Sequence, residues 1–228
     1  MKNAVYLIGV TGLNELVEIL RGQELHQPEA LDCGYKVISQ LRAEAERLGR
    51  LHGMQFLLEQ TPAETTAYRF ARLDLKYFSP EAGHFIKGNL ATGEIYYTNS
   101  THLAVAAPVS PLERAKQEGI FHPFIKGGVM TNVWLNDYLP DPEKMAAFVT
   151  RVFQETFNDQ IVFSPEFSTC NECGTTSRGL REICPVCGAK DLARIARITQ
   201  YFSRISGWNK GKLAELRDRK KHMELTDL

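Results

Sequence analysis

Residues 54–74, MQFLLEQTPAETTAYRFARLD, carry the pattern that decides the fold. The short apolar run from Met54 to Leu58 predicts a strand, and the segment after the turn predicts a helix to about Asp74. Thr61 is a preferred N-cap residue, Pro62 suits the first helical position, and Glu64 follows the cap by three residues. This combination is a capping box, so the stretch predicts a strand, a tight turn and a helix.

The start of this helix has two interpretations. The capping box by itself explains the residues as a structural helix start. Alternatively, the backbone amides at the positive end of the helix, together with two threonine hydroxyls, bind a substrate phosphate. The candidate phosphate-binding residues are Thr61, Ala63, Glu64, Thr65 and Thr66.

Strands and helices alternate on both sides of this stretch. Residues 4–9 predict a buried strand, and Thr11 can then cap a helix that carries Leu13, Leu16, Val17 and Leu20 on one face and ends at Gly22. Further helices are predicted from about Pro28 to Leu51, Pro111 to Glu118 and Asp141 to Phe157, with a strand at 93–98. The alternation over residues 1–165 predicts an α/β fold with partly parallel strands.

Composition limits the classes of function. The chain has 228 residues, of which 43% are hydrophobic, and Lys plus Arg equals Asp plus Glu at 27 each. No overall field therefore attracts nucleic acid or anionic lipid. The N-terminal apolar run is interrupted by Asn14, Glu15 and Glu18 before it reaches the length of a signal or a membrane span. We expect a cytoplasmic protein with no membrane association.

Two C-x-x-C-G motifs, at Cys170 to Gly174 and Cys184 to Gly188, form the most specific signal in the chain. Each two-residue gap lets a turn present both thiolates to one ion, and four sulfurs in a tetrahedron suit zinc. A redox dithiol pair and an iron–sulfur cluster are the rival interpretations. We predict one structural Zn²⁺ held by Cys170, Cys173, Cys184 and Cys187.

The composition changes after Pro165, which predicts three units. They are a partial α/β domain at 1–165, a zinc ribbon at 166–190, and a loop with a basic terminal helix at 191–228, the helix running from about Lys210 to His222. Nucleic-acid binding by the ribbon and the cluster Arg217, Arg219, Lys220 and Lys221 is an alternative. Because the basic run is typical of a solvated helix face, we expect no nucleic-acid partner.

Several segments, in order, resemble the catalytic subunit of anaerobic (class III) ribonucleoside-triphosphate reductases, a glycyl radical enzyme family. They are FLLEQTPAETTAYRFARL at 56–73, IYYTNSTHL at 95–103, SPLER at 110–114, FHPFIKGG at 121–128, the cysteine motifs, and WNKGK at 208–212. The resemblance covers nearly the whole chain but only about the C-terminal third of the family's catalytic subunit.

The resemblance implies part of a ten-stranded α/β barrel of the glycyl radical enzyme type. It implies that the helix start at Thr61 to Thr66 binds the phosphates of a ribonucleoside triphosphate. It also implies that the zinc ribbon anchors a loop that carries a glycyl radical. A radical adenosylmethionine iron–sulfur activase, acting as a partner, would generate that radical.

The radical position departs from the family. The segment Arg197-Ile198-Thr199-Gln200-Tyr201 resembles the radical loop, with Gln200 where the family has glycine. Glycine has two hydrogens on its α-carbon and no side chain, so its planar radical is unhindered, whereas glutamine should hinder both activase access and planarity. Gly207 is a possible substitute, although its short distance to Trp208 fits the segment that follows the radical site.

The resemblance leaves two functions open. The family's thiyl-radical cysteine lies upstream of the matched part, and Cys33, near the start of a helix, is predicted to be a reduced packing cysteine. The chain is therefore expected to be inactive alone. It is either one part of a reductase that joins a separate N-terminal polypeptide in reducing ribonucleotides, or a degenerate paralogue that binds an intact reductase or its activase.

Overall fold

A computed structural model describes residues 4–135, 137 and 139–222. Its α-helices are α1 (Leu13–Arg21), α2 (Pro28–His52), α3 (Glu64–Tyr77), α4 (Pro111–Gly119), α5 (Pro142–Glu155) and α6 (Lys210–Asp218). Its strands are β1 (Val5–Gly9), β2 (Gln55–Glu59), β3 (Lys87–Asn89), β4 (Glu94–Tyr96), β5 (Thr131–Trp134), β6 (Ile161–Ser164), β7 (Phe167–Cys170), β8 (Thr176–Arg178), β9 (Leu192–Arg197) and β10 (Phe202–Arg204). Short 3₁₀ turns lie at Glu81–His84, His122–Phe124 and Ile205–Gly207.

Both parallel strand pairs enclose a helix in sequence, as an α/β fold requires. β1 pairs with β2 through Val5 to Gln55, and β5 pairs with β6 through Thr131 to Ile161. The remaining pairs are antiparallel: β3 with β4, and a four-stranded sheet in the order β10-β9-β7-β8. The predicted α/β class with partly parallel strands is confirmed.

The largest core lies where α1 and α2 pack beside β2 and the loop before α4. Its fully buried members are Leu13, Val17, Leu25, Ala30, Ile38, Ala45, Leu58, Leu103, Ala107, Phe121 and Ile125. A second core joins α4, α5 and the β5–β6 pair around Phe148 and Val152. Within the described ranges, no helix combines the length and apolar character needed to cross a membrane.

The prediction of a buried first strand is wrong. Val5, Leu7 and Ile8 are between 38% and 50% exposed. Among the described residues β1 pairs only with β2, so its second edge and much of its surface have no cover. On α1, Leu13 and Val17 are buried, whereas other apolar side chains are exposed, namely Leu16, Ile19 and Leu20. This end of the fold presents apolar side chains to solvent.

Two predicted helix ends also need correction. The N-cap of α1 is Gly12, in the left-handed region with φ 77°, rather than Thr11; the predicted C-terminal stop at Gly22 is confirmed by its φ of 70°. The terminal helix ends at Asp218 rather than His222, because Arg219 leaves the helical region with φ −57° and ψ 124°. The division at 165/166 and 190/191 stays a prediction, and the four-stranded sheet takes strands from both sides of 190/191.

Gly211 lets α6 pack directly on β4 and α3. A Cβ at this position would collide with the carbonyl oxygen of Ile95 and lie 2.7 Å from Cδ2 of Tyr68. We expect Gly211→Ala to lower the free energy of unfolding by about 1–3 kcal/mol, because a strand carbonyl cannot move aside. The gain in helix propensity, about 1 kcal/mol, does not offset this. Urea unfolding of the wild type and the variant measures the change in the free energy of unfolding.

Gly207→Ala is the matched control for that prediction. A Cβ at Gly207 has nothing within 4 Å, so the unfolding midpoint should stay close to that of the wild type. Equal midpoints for Gly211→Ala and Gly207→Ala would contradict the packing of α6 described above.

Candidate functional site

The four cysteines of the C-x-x-C-G motifs converge on one point. Their sulfur atoms all lie within 4.8 Å of one another, with Sγ–Sγ distances of 3.6 Å for Cys170–Cys187 and 3.7 Å for Cys173–Cys184. In a tetrahedral site with Zn–S bonds of about 2.3 Å, the sulfurs lie about 3.8 Å apart. The four side chains therefore can hold a metal ion such as zinc.

The backbone around the cysteines forms two similar turns. The amide of Gly174 donates to the Cys170 carbonyl at 3.1 Å, and the amide of Gly188 donates to the Cys184 carbonyl at 3.0 Å. Both glycines have φ between 73° and 77°, the left-handed conformation that glycine adopts without strain. Hydrogen bonds from the hydroxyl and backbone of Thr175 lower the pKa of Cys173 to about 6, which favours the metal-binding thiolate.

The cysteine cluster is joined to the predicted radical segment by a β-sheet. Cys170 ends β7, which pairs with β9 through Cys170 to Leu192 and Phe167 to Ile195. β9 continues through the turn 198–201 into β10, and this turn is called the hairpin tip below. The side chain of Asn171 adds a bond of 2.8 Å to Asp191 at the start of β9. The residues that could hold a metal ion and the hairpin tip therefore belong to one β-sheet.

Gln200 lies at the hairpin tip and is exposed. Its carbonyl oxygen accepts a hydrogen bond of 2.5 Å from Nη2 of Arg197, and the amide of Ile198 donates to the Tyr201 carbonyl at 3.0 Å. Among the described residues, the one non-glycine with a positive φ is Ser100. The backbone at position 200 therefore accommodates a side chain, and glycine is not required there for folding.

Thr199 fastens the hairpin tip to the start of α3. Its backbone amide and its hydroxyl both donate to Oε1 of Glu64, at 3.0 and 2.5 Å. Its hydroxyl also accepts from Nδ2 of Asn99 at 3.3 Å. These contacts join segments 135 residues apart in sequence, and they bring Thr199, the residue before Gln200, against Glu64 of the predicted phosphate site.

The capping box predicted at Thr61 is wrong. α3 begins at Glu64, its N-cap is Ala63, and no side chain caps it. The Thr61 hydroxyl donates instead to Glu59 at 2.9 Å, and the Glu64 carboxylate is engaged by Thr199. Thr61 and Glu64, the two side chains of the predicted capping box, thus have other hydrogen-bond partners.

At the start of α3, one backbone amide is bonded within the fold and the next three precede the first intrahelical hydrogen bond. The amide of Ala63 donates to Oδ1 of Asn99 at 3.2 Å, and this bond is buried. The first intrahelical bond is donated by Ala67, so the amides of Glu64, Thr65 and Thr66 precede it. Glu64 and Thr65 line a cleft of about 390 Å³. The cleft is completed by Ile198, Tyr201, Ser203, Arg204, Gly207, Trp208, Asn209 and Lys212.

A buried ion cluster closes the floor of this cleft. Nζ of Lys212 lies 2.9 and 2.7 Å from the two carboxylate oxygens of Glu215, which also accepts from Arg219 at 3.0 Å. Burial lowers the pKa of Lys212, although the charges of Glu215 and Glu64 oppose that effect. Arg219 stacks between two rings, 5.6 Å from that of Trp134 and 5.7 Å from that of Trp208.

The basic terminal run is not a solvated helix face, contrary to the prediction. Arg217 pairs with Glu94 at 3.0 Å, Lys221 pairs with Glu166 at 2.7 Å, and Lys220 donates to the Val109 carbonyl at 3.0 Å. Since Arg219 is also buried, these four cations hold the terminal segment to the rest of the chain. They therefore offer little free positive charge to a nucleic acid.

Sequence reasoning missed the residues that join the segments. Asn99 and Thr199 lie in segments whose pattern was clear, but nothing in their spacing shows that they bond to each other and to α3. Lys212 lies in the WNKGK segment, where a surface position is the ordinary expectation for lysine. Cys33 is buried in the core beside α1, as predicted.

Comparison with known proteins assigns this arrangement to a family. The parallel strand pairs and the cysteine cluster define an α/β chain with four cysteines that could hold a metal ion. A sequence profile of the anaerobic ribonucleoside-triphosphate reductases matches residues 1–222, and the chain belongs to this family. The reductase of Salmonella typhimurium is 29% identical over 95% of this chain and 31% of its own length; that of Enterobacteria phage T4 is 27% identical over 94% and 34%.

Solved structures agree with this assignment. An anaerobic ribonucleotide reductase structure superposes with a TM-score of 0.75 at 23% identity, covering 95% of this chain and 34% of its own. The enzyme of Thermotoga maritima, solved in complex with dATP and CTP, gives a TM-score of 0.66 at 25% identity, covering 92% and 33%. The chain therefore has the fold of these enzymes but spans about a third of the length of the relatives it matches.

Proposed function

We propose that the chain forms the C-terminal part of an anaerobic ribonucleoside-triphosphate reductase, in which its segments complete a ten-stranded barrel. The observation that carries this proposal is the contact of Thr199 with Glu64. It brings the hairpin tip and the start of α3 together beside one cleft, as a reductase that binds substrate near its radical loop requires.

The exposed apolar residues at the first strand support a larger assembly. Val5, Leu7, Ile19 and Leu20 lie on β1 and α1, and each is between 46% and 58% exposed. A strand with a free edge and apolar side chains is a site for pairing with a further strand. We propose that a separate N-terminal reductase polypeptide covers this surface.

The cysteine cluster serves as a structural zinc site in this proposal. Four thiolates at the observed spacing leave no open coordination position for substrate, so the ion stabilises the sheet and takes no part in the reaction. A radical adenosylmethionine iron–sulfur activase is then the partner that would act at the hairpin tip, where Gln200 replaces the glycine that would carry the radical. A cytoplasmic location remains a prediction.

Gln200 blocks the radical in the chain as it stands. We expect no glycyl doublet in the electron paramagnetic resonance spectrum when the chain is mixed with the activase, adenosylmethionine, a reductant and the N-terminal polypeptide. The variant Gln200→Gly should give the doublet, because it supplies a second α-hydrogen and removes the side chain. Spin counting against a standard measures the yield of glycyl radical per chain.

Two controls make this result specific. Gln200→Ala shortens the side chain without supplying a second α-hydrogen, so it should give no glycyl doublet. Gln200→Gly combined with Gly207→Ala should keep the doublet, and its loss would assign the radical to Gly207. A doublet from the unaltered chain would contradict the proposed block at Gln200.

The phosphate site makes an independent prediction. Thr65→Ala and Thr66→Ala should each weaken the binding of a ribonucleoside triphosphate about 10- to 100-fold, the effect of removing one hydrogen bond to a charged group. Titration calorimetry of the chain together with its N-terminal polypeptide measures this. Thr150→Ala, at an exposed position on α5, is the matched control. Equal affinities for all three variants and the wild type would remove Thr65 and Thr66 from the site.

The glutamine also favours a second candidate function. A degenerate paralogue that lost its radical position could still dock to an intact reductase or to its activase through the same exposed surface. In that case the chain should co-purify with the intact enzyme or with the activase, and Gln200→Gly should not restore ribonucleotide reduction even when the N-terminal polypeptide is supplied. The first proposal predicts that this variant restores reduction.

A further inference from the structure

A small cavity lies behind the hairpin tip, beside the open cleft. Its volume is about 20 Å³. A cavity needs roughly 10–15 Å³ of such space to hold one water molecule, so there is room for one. Ile198 and Lys212 line both the cavity and the cleft and thus form the wall between them. The other lining residues are Tyr96, Thr98, Asn99, His102, Val105, Asn132, Trp134, Thr199 and Glu215.

His102 lines one side of the cavity and is bonded to the buried ion pair of Glu118 and Arg114. Nδ1 of His102 lies 3.0 Å from Oε2 of Glu118, whose other oxygen accepts from Arg114 at 2.8 Å. Arg114 and Glu118 are each 1% exposed, and His102 is 6% exposed. The carboxylate accepts the Nδ1 proton, so in the neutral ring Nε2 is an acceptor.

Nε2 of His102 is buried and has no hydrogen-bond partner. Leaving such a group unsatisfied destabilises a fold, so most buried polar atoms are paired with protein or with ordered water. Glu118 occupies the Nδ1 edge and does not line the cavity. Nε2 is therefore the ring nitrogen available to it.

The opposite wall supplies a donor. Lys212 has three N–H groups, and two of them are directed to the Glu215 oxygens. The next carboxylate oxygen, that of Glu64, lies 3.9 Å away, beyond hydrogen-bond distance. The ammonium group therefore has donor capacity left for the cavity.

We propose that this cavity is a binding site for one water molecule, which accepts a hydrogen bond from Lys212 and donates one to His102 Nε2. The water joins two buried ion clusters, Arg114–Glu118–His102 on the α4 side and Lys212–Glu215–Arg219 on α6. Trp134 lies between them, with Arg114 4.9 Å and Arg219 5.6 Å from its ring. The terminal helix and the 98–102 segment thus share one polar network beneath the hairpin tip.

A crystal structure of the unaltered chain at a resolution that shows ordered water tests the site. The expected result is a full-occupancy water within hydrogen-bond distance of both His102 Nε2 and Lys212 Nζ. An empty cavity, or an Nε2 atom bonded directly to a protein group, would overturn the proposal.

Nitrogen-15 spectroscopy of the histidine rings tests the same site in solution. In alkaline buffer, His102 should show its proton on Nδ1 and a hydrogen-bonded Nε2. Lys212→Met should move the Nε2 resonance towards that of an unbonded acceptor. His122, which accepts from the Asp159 amide and does not line the cavity, is the internal control and should not change. A His102 spectrum that is the same in wild type and Lys212→Met would refute the bridge.

Discussion

Replacing Cys184 by alanine is expected to lower the bound zinc from about one ion per chain to none. Cys184 is 3% exposed, and its sulfur lies 3.7 Å from that of Cys173, so its loss leaves three ligands and an open coordination position. A structural ion contributes its binding energy directly to folding. The antiparallel sheet formed by β7 to β10 should therefore lose order together with the metal.

Elemental analysis after gel filtration measures the zinc, and circular dichroism measures the sheet. Cys33→Ala is the matched control, since this cysteine is buried in the α1–α2 core away from the cluster. It should retain one equivalent of zinc. A Cys184→Ala protein with full zinc occupancy, or a wild-type chain with no zinc, would refute the metal assignment.

Glu118→Gln is expected to lower the free energy of unfolding by about 3–5 kcal/mol, the usual result of breaking a buried ion pair from one side. The glutamine has the same shape but no charge, so Arg114 remains buried with its positive charge uncompensated. His102 and the amide of Leu103 also lose a charged acceptor. Chemical denaturation of wild type and variant measures the difference.

The exposed acid Glu155 provides the control for that comparison. It pairs with Lys116 at 3.1 Å and with Arg151 at 2.6 Å on the surface, where solvent screens the charges. Glu155→Gln should barely move the denaturation midpoint. Similar midpoints for the two variants would show that the pair at Glu118 is not a stabilising element.

The same carboxyl gives a pH dependence. Burial alone would raise the pKa of Glu118, but the charges and hydrogen bonds of His102 and Arg114 outweigh it and hold the pKa below its ordinary value of 4.5. Because the pKa of Glu118 is lower in the folded than in the unfolded protein, its stabilisation is complete above about pH 4.5. The stabilisation is lost as the pH falls through the pKa of the folded state. The wild type should lose stability there more steeply than Glu118→Gln.

Local patterns were sufficient to predict much of the fold. The apolar periodicity and the glycine at position 22 predicted α1, α2 and α4 closely, because these features act within one or two turns of chain. The two C-x-x-C-G motifs predicted the cysteine cluster, because each brings its own pair of thiolates together. The segment motifs predicted the family that the comparisons show.

Contacts between distant segments explain what could not be predicted. Thr61 and Glu64 match a capping box, but Glu64 bonds instead to Thr199, 135 residues away. The basic terminal run resembles a solvated face, but two acids and a carbonyl from three other segments pair with it. The exposure of β1 likewise depends on which elements lie beside it, and a single strand's sequence cannot show this.

We propose that a metal at the four cysteines holds the hairpin tip against the start of α3. Amide hydrogen exchange of the zinc-loaded and chelator-treated chain tests this most directly, read at residues 192–204 and compared with α2. Removing zinc should speed exchange in residues 170–188, in β9 and at the hairpin tip, while α2 stays protected, because β7 carries Cys170 and pairs with β9. Faster exchange confined to residues 170–188, with the hairpin tip unchanged, would contradict the claim.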